Sequence, residues 1–194
     1  MNYTLVVIPT ERDLKFLNNL RNYIYQNDFR FKNKPLDSDT HITIANIEMD
    51  EDKIAELKET LQANIHKLKP FTIKKEEYIL TKEDKEPNYK FDNPYTWIAL
   101  KFPQRKDIYQ ELDRITKELG INNNEEYINN VRRIERDIEE KDYIANHINL
   151  SNYTRRDRAN DCWNYFNDNL PKEILFNKIG LRDEKGKIIF IIKI

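Results

Sequence analysis

The sequence predicts an α+β protein of two similar lobes around a central cleft, each lobe an antiparallel-rich sheet with helices on its outer face. Strand-like and helix-like segments alternate along the 194 residues in the order β-α-β-α-β and then β-α-β, followed by a hairpin. The same four-residue pattern, HITI and HINL, falls on one predicted strand of each half. A hydrophobic share of 39% in a chain of this length is enough for one well-packed core. We therefore expect a single bilobal domain over residues 1–194.

The first half of the chain alternates β-branched apolar runs with segments that repeat leucine and isoleucine at helical spacing. Such runs are typical of buried strands, and such spacing is typical of amphipathic helices. The predicted elements, in order, are a strand at 3–9, a helix at 11–27, a strand at 41–47, a helix at 51–68, and strands at 71–81 and 96–102 separated by a polar loop at 82–95.

The second half repeats this alternation around a polar insertion. A glycine at 120 is suited to the end of a helix, and a glycine at 186 is suited to a hairpin turn. The predicted elements, in order, are a helix at 105–119, an insertion at 121–142, a strand at 143–150, a helix at 156–169, and hairpin strands at 173–181 and 187–194 joined by residues 182–186.

The repeated pattern places two histidines and two hydrogen-bonding side chains on strands. Successive side chains of a strand point to opposite faces, so His41 shares a face with Thr43, and His147 shares a face with Asn149. The apolar residues of each pattern then face the core. If the fold brings the two strands together, two imidazoles and two hydrogen-bond donors line one cleft.

These residue types suit phosphodiester cleavage without a metal. The reaction needs a base for the attacking oxygen, an acid for the leaving oxygen, and donors for the non-bridging oxygens. Histidine has an unperturbed pKa of roughly 6.5, so two histidines can be held in opposite protonation states. The residues predict a phosphate site in which His41 and His147 move protons while Thr43 and Asn149 hold oxygens.

At these two motifs the chain resembles the two-histidine (2H) phosphoesterases, whose signature is a paired H-x-[Thr/Ser]-x word on strands of a repeated β-α-β unit. That superfamily includes bacterial 2′-5′ RNA ligase-like proteins, RNA 2′,3′-cyclic phosphodiesterases, and phage enzymes that destroy cyclic nucleotide signals. The resemblance covers nearly the whole chain, in the order of its elements. It implies a pseudo-symmetric bilobal fold and a cofactor-free enzyme that acts on 2′,3′-cyclic, 2′-5′-linked or cyclic oligonucleotide phosphodiesters.

Carried over residue by residue, the resemblance makes His41 and His147 the general base and acid, and makes Thr43 a phosphate ligand. The second motif departs from the family pattern, because Asn149 stands where Thr or Ser is usual. An amide NH₂ can still donate to a phosphate oxygen. The same departure is also compatible with a non-catalytic protein that sequesters or senses a nucleotide on this fold.

Further candidates for substrate binding come from aromatic and basic residues near the motifs. Trp97 and Tyr153 are candidates for stacking on a base, with core packing or simple exposure as the alternative for each. Ligase-like relatives often carry an arginine shortly after the second motif, where this chain has SNY at 151–153. Arginines follow a few positions later at Arg155, Arg156 and Arg158, and Arg155 is taken as the candidate ligand among them. The loop at 82–95 and the insertion at 121–142 are candidate lids over a small ligand.

Composition narrows the function classes that remain. A net charge of −1 argues against a general nucleic-acid coat protein, which would rely on many Lys and Arg contacts to phosphates. A metal site built from the motif histidines with Asp37 or Asp39 is an alternative, although no HxH or HExxH spacing supports it. A structural or adaptor protein without a ligand is a third class, and it would neither bind nor turn over nucleotides.

The partners and location follow from the same observations. We expect a monomer whose substrate is a small nucleotide, a cyclic oligonucleotide or an RNA end. The single cysteine, Cys162, excludes an internal disulfide, and the N-terminal segment lacks the features of a signal peptide. The longest apolar stretch, 188–192, is too short to span a bilayer, so we expect a cytoplasmic protein without a membrane partner.

Overall fold

The architecture is described from a computed structural model, which defines residues 1–31, 39–87, 92–103, 105–123 and 146–194. The strands are β1 (Asn2–Pro9), β2 (Ile42–Glu48), β3 (Phe71–Lys74), β4 (Ile79–Lys85), β5 (Tyr95–Lys101), β6 (Asn122–Asn123), β7 (His147–Thr154), β8 (Glu173–Asp183) and β9 (Ile188–Lys193). The helices are α1 (Glu11–Gln26), α2 (Lys53–Ala63), α3 (Lys106–Glu118) and α4 (Ala159–Asn169), with 3₁₀ turns at Ile65–Lys67, Lys75–Glu77 and Arg156–Arg158.

The strands form two antiparallel sheets of unequal size. The larger sheet has the order β3-β8-β1-β2-β6, and β9 pairs with β8. The smaller sheet has the order β4-β5-β7. The predicted α+β class with antiparallel sheets is therefore confirmed. The sequence predicts two similar lobes, and among the described strands six belong to one sheet and three to the other.

A single hydrophobic core joins the two sheets. Buried side chains from both sheets, among them Leu5, Ile44, Ile98 and Leu150, belong to one continuous cluster with the helices. Helices α2 and α3 pack on the larger sheet, α4 packs on β4, and α1 contacts both β1 and β7. The opposite faces of the sheets carry the partly exposed polar residues of the two motifs.

Local sequence explains where the helices begin and end. The Thr10 hydroxyl accepts the Asp13 N–H at 3.3 Å, which caps α1 and satisfies one of its free amide groups. Helix α3 ends one residue before Leu119, and Gly120 follows with φ +65°. That left-handed conformation favours glycine, so the predicted helix stop is confirmed.

One predicted strand, 71–81, is wrong because the chain changes sheets within it. Residues 71–74 pair with β8 in the larger sheet, whereas 79–85 pair with β5 in the smaller one. Between them, the Glu77 carboxylate accepts the Lys74 N–H at 2.8 Å and closes a 3₁₀ turn. Strand β4 continues to Lys85, so the predicted loop at 82–95 is shorter than expected.

Other element boundaries also shift. The hairpin strands extend to Asp183 and restart at Ile188, so the predicted connection at 182–186 is partly strand. The helix expected over 51–68 ends at Ala63, and the strand expected over 143–150 is β7, which runs to Thr154. Most of the insertion predicted at 121–142 lies outside the described residues.

No helix in the described ranges is both long enough and apolar enough to cross a membrane.

Candidate active site

The two histidine motifs lie on neighbouring strands of different sheets. Residues of β2 and β7 approach within 8 Å of one another, measured between Cα atoms. In each motif the apolar residues are buried and the intervening residues are partly exposed, so His41 and Thr43 share the open face of β2, and His147 and Asn149 share that of β7. The charge of His147 is among the causes that lower the pKa of His41.

His41 is held between a backbone carbonyl and an arginine. Its Nδ1 lies 2.7 Å from the Asp39 carbonyl oxygen, which can only accept a hydrogen bond. Nδ1 therefore carries the proton in the neutral ring, and Nε2 carries the lone pair. The Arg182 Nη1 lies 2.9 Å from Nε2 and 3.2 Å from Nδ1, nearly equidistant from the two ring nitrogens, so the guanidinium packs over the face of the imidazole.

Helix α1 fixes the segment that precedes His41. The Asn18 side chain donates to the Asp39 carboxylate at 2.8 Å and accepts from the Thr40 N–H at 3.2 Å. The buried Arg21 donates to the Thr40 hydroxyl at 3.0 Å. These bonds position the carbonyl that orients the His41 ring.

The electrostatic environment of His41 favours the neutral imidazole. Burial lowers its pKa most, and the charges of Arg182, Arg21 and His147 lower it further, to about 3, against the opposing effect of the hydrogen bond that the ring donates to the Asp39 carbonyl. Burial also lowers the pKa of Arg21 to about 10 and the pKa of Arg182 below its usual value. The neighbourhood thus concentrates positive charge around a neutral ring.

His147 has its own cation and its own orienting group. It lies directly opposite Lys101 in the register of β5 and β7. Its Nδ1 lies 3.0 Å from the Asn146 Oδ1, an acceptor that leaves Nε2 with the lone pair in the neutral ring. The ring of Trp97 meets the imidazole edge to face, with centroids 5.5 Å apart.

The pKa of His147 is lowered like that of His41. Burial is the main cause and the charge of Lys101 adds to it, while Glu83 opposes both, and the result is a pKa of about 4. Both imidazoles are therefore neutral near pH 7 in the protein by itself.

The Asn149 side chain is oriented by Trp97. The indole N–H of Trp97 donates to the Asn149 Oδ1 at 2.6 Å. Because an indole N–H only donates, the amide oxygen must face Trp97, and the NH₂ group must point the other way. Asn149 therefore presents a donor, the property that the usual Thr or Ser would supply.

An ionic network lies beside this motif on the same face of the smaller sheet. The Glu83 carboxylate binds the Lys101 Nζ at 2.5 Å and the Lys85 Nζ at 3.0 Å. Both ammonium groups lie over the ring of Trp97, at 5.3 and 5.6 Å from its centroid. Burial raises the pKa of Glu83, but the hydrogen bonds from the two lysines outweigh it and hold the pKa below its usual value.

The other residues predicted to bind substrate are Trp97, Tyr153 and Arg155, and each contacts protein groups in the structure. Trp97 is 9% exposed and touches His147, which favours an orienting role over stacking on a base. Tyr153 packs on Tyr95 with centroids 5.0 Å apart and has φ +58°. Arg155 binds the carboxylates of Asp28 and Asp157, each at 2.8 Å, and these contacts include no motif residue.

Two residues of the site are not predicted from the sequence. Arg182 falls in a segment whose pattern predicts a turn, and Glu83 belongs to a common charged run. Lys101, by contrast, is predicted on the open face with Trp97 and Ala99, because alternation turns Ile98, Leu100 and Phe102 toward the helices. No such signal exists for Arg182, because its contact with His41 joins residues 141 positions apart.

The residues considered for a metal site do not form one in the described part of the chain. Asp37 lies outside the described residues, and the Asp39 carboxylate accepts a hydrogen bond from Asn18. No group of three or more His, Cys, Asp or Glu side chains with the spacing of a metal site is found within the described ranges.

Comparison with protein-family models and with curated proteins found no match to this chain.

Proposed function

We propose that this protein is a metal-independent phosphodiesterase that cleaves 2′,3′-cyclic, 2′-5′-linked or cyclic oligonucleotide phosphodiesters, with His41 and His147 as general base and acid. One observation carries the proposal. The two histidine motifs lie on strands that approach within 8 Å, and each partly exposed imidazole has a cation beside it. Paired imidazoles within a positive cleft suit an anionic phosphodiester.

The chemistry can be written with these groups. The attacking hydroxyl or water gives its proton to Nε2 of His41 as its oxygen forms a bond to phosphorus. The bond from phosphorus to the leaving oxygen then breaks, and that oxygen takes a proton from His147. Thr43 and the Asn149 NH₂ group donate to the non-bridging oxygens, where negative charge increases in the transition state.

The protonation states follow from the charge of the substrate. His41 is suited to the base because Nδ1 is committed to the Asp39 carbonyl and Nε2 is an acceptor. His147 must be protonated to act as the acid, yet its pKa is about 4 in the protein by itself. A bound phosphodiester anion raises the pKa of a neighbouring imidazole, so substrate binding charges the acid.

The alternative function is a nucleotide-binding protein without turnover. The observation that favours it is the low pKa of both histidines, since neither is protonated near pH 7 before a ligand binds. A protein of this kind would hold the phosphate with the same donors and cations and would leave the ligand chemically unchanged.

The test is incubation of the purified chain with 2′,3′-cyclic, 2′-5′-linked and cyclic oligonucleotides, followed by product analysis in the presence of EDTA. We expect cleavage that EDTA does not reduce. His41→Ala and His147→Ala should each lower the rate by about 10²-fold or more, because each removes one proton transfer. His66→Ala is the matched control for loss of a histidine outside the motifs.

Each outcome separates the candidates. Ligands that bind and are recovered intact would favour the binding protein. Activity that disappears with EDTA and returns with added metal would contradict the proposal, as would a rate near that of the wild type in either motif variant. Neither binding nor turnover on the panel would indicate a structural protein.

A further inference from the structure

The open face of the larger sheet continues beyond the first motif, across β1 and β8 to β9. In the register of the strands, Thr43 of β2 pairs with Val6 of β1, which pairs with Gly180 of β8. Gly180 in turn pairs with Ile191 of β9, which is 48% exposed. A row of positions therefore leads from the predicted phosphate ligand to an exposed apolar side chain.

The glycine in this row leaves no room for a side chain. A Cβ at Gly180 would lie 2.9 Å from Cδ1 of Ile8 and 3.4 Å from Cγ2 of Val6. The first distance is shorter than two carbon atoms adopt in a packed contact, so Ile8 occupies the space that a larger residue would need. Val6 and Ile8 are themselves buried. The row is thus a shallow apolar strip that ends at Ile191.

A second row, beside the first, ends in two lysines. His41 immediately precedes the last residue of β2 that pairs with β1, and continuing that register places it beside Ile8. Ile8 pairs with Lys178, and Lys178 pairs with Lys193. Adjacent strands lie about 4.8 Å apart, so Lys178 is about 10 Å and Lys193 about 14 Å from the strand of the motif.

The two lysines form an unfavourable pair in the absence of an anion. Lys178 and Lys193 lie directly opposite each other on one face of an antiparallel pair, where like charges destabilise the sheet. Glu11 lies 3.6 Å from Lys178, but the Glu11 side chain is 92% exposed, so solvent weakens the attraction. The Lys178 side chain is only 18% exposed and is held against the protein. An anion bound between the two ammonium groups would offset their repulsion.

We infer that this face binds the nucleotide next to the reacting phosphodiester: its phosphate lies between Lys178 and Lys193, and its base or ribose packs on the strip that ends at Ile191. This inference rests on the proposed function and narrows its substrate class. It favours 2′-5′-linked or cyclic oligonucleotides, which carry a second phosphate, over a 2′,3′-cyclic mononucleotide. The flexible side chain of Lys178 extends toward the motif, which suits the separation of about 10 Å between the strands.

The test compares a 2′-5′-linked adenylate trimer, which has two phosphodiesters, with the dimer, which has one. Affinities are measured by titration of the full-length chain carrying His147→Ala, so that cleavage does not interfere. We expect the trimer to bind about tenfold more tightly, as for one additional charged hydrogen bond. The logarithm of its binding constant should also fall more steeply with the logarithm of salt concentration, by about 0.7 in slope.

Variants on the same face make the test specific. Lys178→Met and Lys193→Met should each bring the ratio of trimer to dimer affinity close to one and remove the additional salt dependence. Ile191→Glu places a negative charge at an exposed position of the strip and should lower the ratio as well. Lys185→Met removes an exposed lysine from the adjoining turn and should keep the ratio of the parent protein. Circular dichroism of each variant checks that the fold is retained.

The results distinguish this inference from the proposed function. Equal affinities of the trimer and the dimer would overturn the subsite even if the wild type cleaves phosphodiesters. A preference that both lysine variants retain, or that Lys185→Met loses equally, would overturn it too. The expected pattern of affinities, with a wild type that leaves both oligonucleotides intact, would uphold the subsite and contradict the enzyme. Binding of neither oligonucleotide would contradict both.

Discussion

His41 and His147 differ in the cation that lies beside each imidazole. The Arg182 Nη1 packs over the ring of His41, 2.9 Å from Nε2, whereas Lys101 lies across the strand pair from His147 and binds Glu83. Both cations act on their imidazole by charge, and Arg182 also contacts its ring directly. The directly contacted ring has the lower pKa, about 3 for His41 against about 4 for His147.

Replacing Lys101 with methionine tests the electrostatic control of His147. The change removes a positive charge that lowers the pKa of His147, and it leaves Glu83 less neutralised, so both effects raise that pKa. We expect the alkaline limb of kcat/KM, which reports the acid in the free enzyme, to move to higher pH. The measurement is a pH profile together with NMR titration of His147.

Lys82→Met is the matched control for this prediction. Lys82 belongs to the same sheet, but its Nζ contacts Asn160 and the ring of Trp163 on the helical side. Its loss should leave the alkaline limb in place. A Lys101→Met profile that coincides with the wild type would remove Lys101 from control of the acid.

At the scale of the element, the strain in β7 falls on one tyrosine. Tyr153 has φ +58°, a conformation that costs an ordinary residue about 1–2 kcal/mol, and it lies where the pairing of β7 with β5 is irregular. The irregularity directs its ring to Tyr95, which shares a strand face with Trp97. An aromatic pair on the motif side of the sheet fits a platform for a second base.

Two substitutions at Tyr153 separate the backbone from the ring. Tyr153→Gly and Tyr153→Ala both delete the ring, but only glycine adopts the positive φ without strain. We expect the glycine variant to be more stable than the alanine variant by about 1 kcal/mol. Both should bind a 2′-5′-linked oligonucleotide about tenfold more weakly than the wild type. Denaturant unfolding and binding titrations measure the two effects.

Asp28 provides the control for backbone strain, since it has φ 55° outside the motifs. Asp28→Gly should be more stable than Asp28→Ala by about the same amount, because the positive φ at this position also favours glycine. Equal stability of the two Tyr153 variants would contradict the assignment of strain, and unchanged affinity would remove the aromatic platform.

The sequence predicted the elements that carry the motifs better than the contacts between them. The faces of β2 and β7 follow from alternation alone, because Ile42, Ile44 and Ile148 had to be buried. The division of 71–81 between two sheets depends on the hydrogen bond from the Lys74 N–H to Glu77. This local bond competes with continuation of the strand, and the pattern of apolar residues does not indicate it. The contact of Arg182 with His41 depends on three strands in register, which no short pattern encodes.

At the scale of the whole molecule, one shared core makes the distance between the motifs a property of the fold. Helix α1 contacts both β1 and β7, and the segment after it forms an isolated β-bridge to β7 between Arg30 and Thr154, beside which the Arg155 N–H donates to the Phe29 carbonyl at 2.8 Å. The same helix holds the residues before His41. A change that loosens α1 would therefore affect the position of His41 and the alignment of the two sheets together.

The same core makes the stability of the protein depend on pH through the two histidines. Their pKa values are about 3 and 4 in the folded chain, below the value near 6.5 expected when it is unfolded. Between about pH 4 and 6.5 the unfolded chain binds more protons, so stability is complete above that window and falls as the pH falls through it. Each histidine contributes at most about 1.4 kcal/mol per pH unit to the free energy of unfolding.

In His41→Gln and His147→Gln, the free energy of unfolding, measured with urea at several pH values, should depend less steeply on pH than in the wild type. His66→Gln is the matched control. A slope in the motif variants as steep as that of the wild type would mean that neither imidazole is kept neutral by the fold.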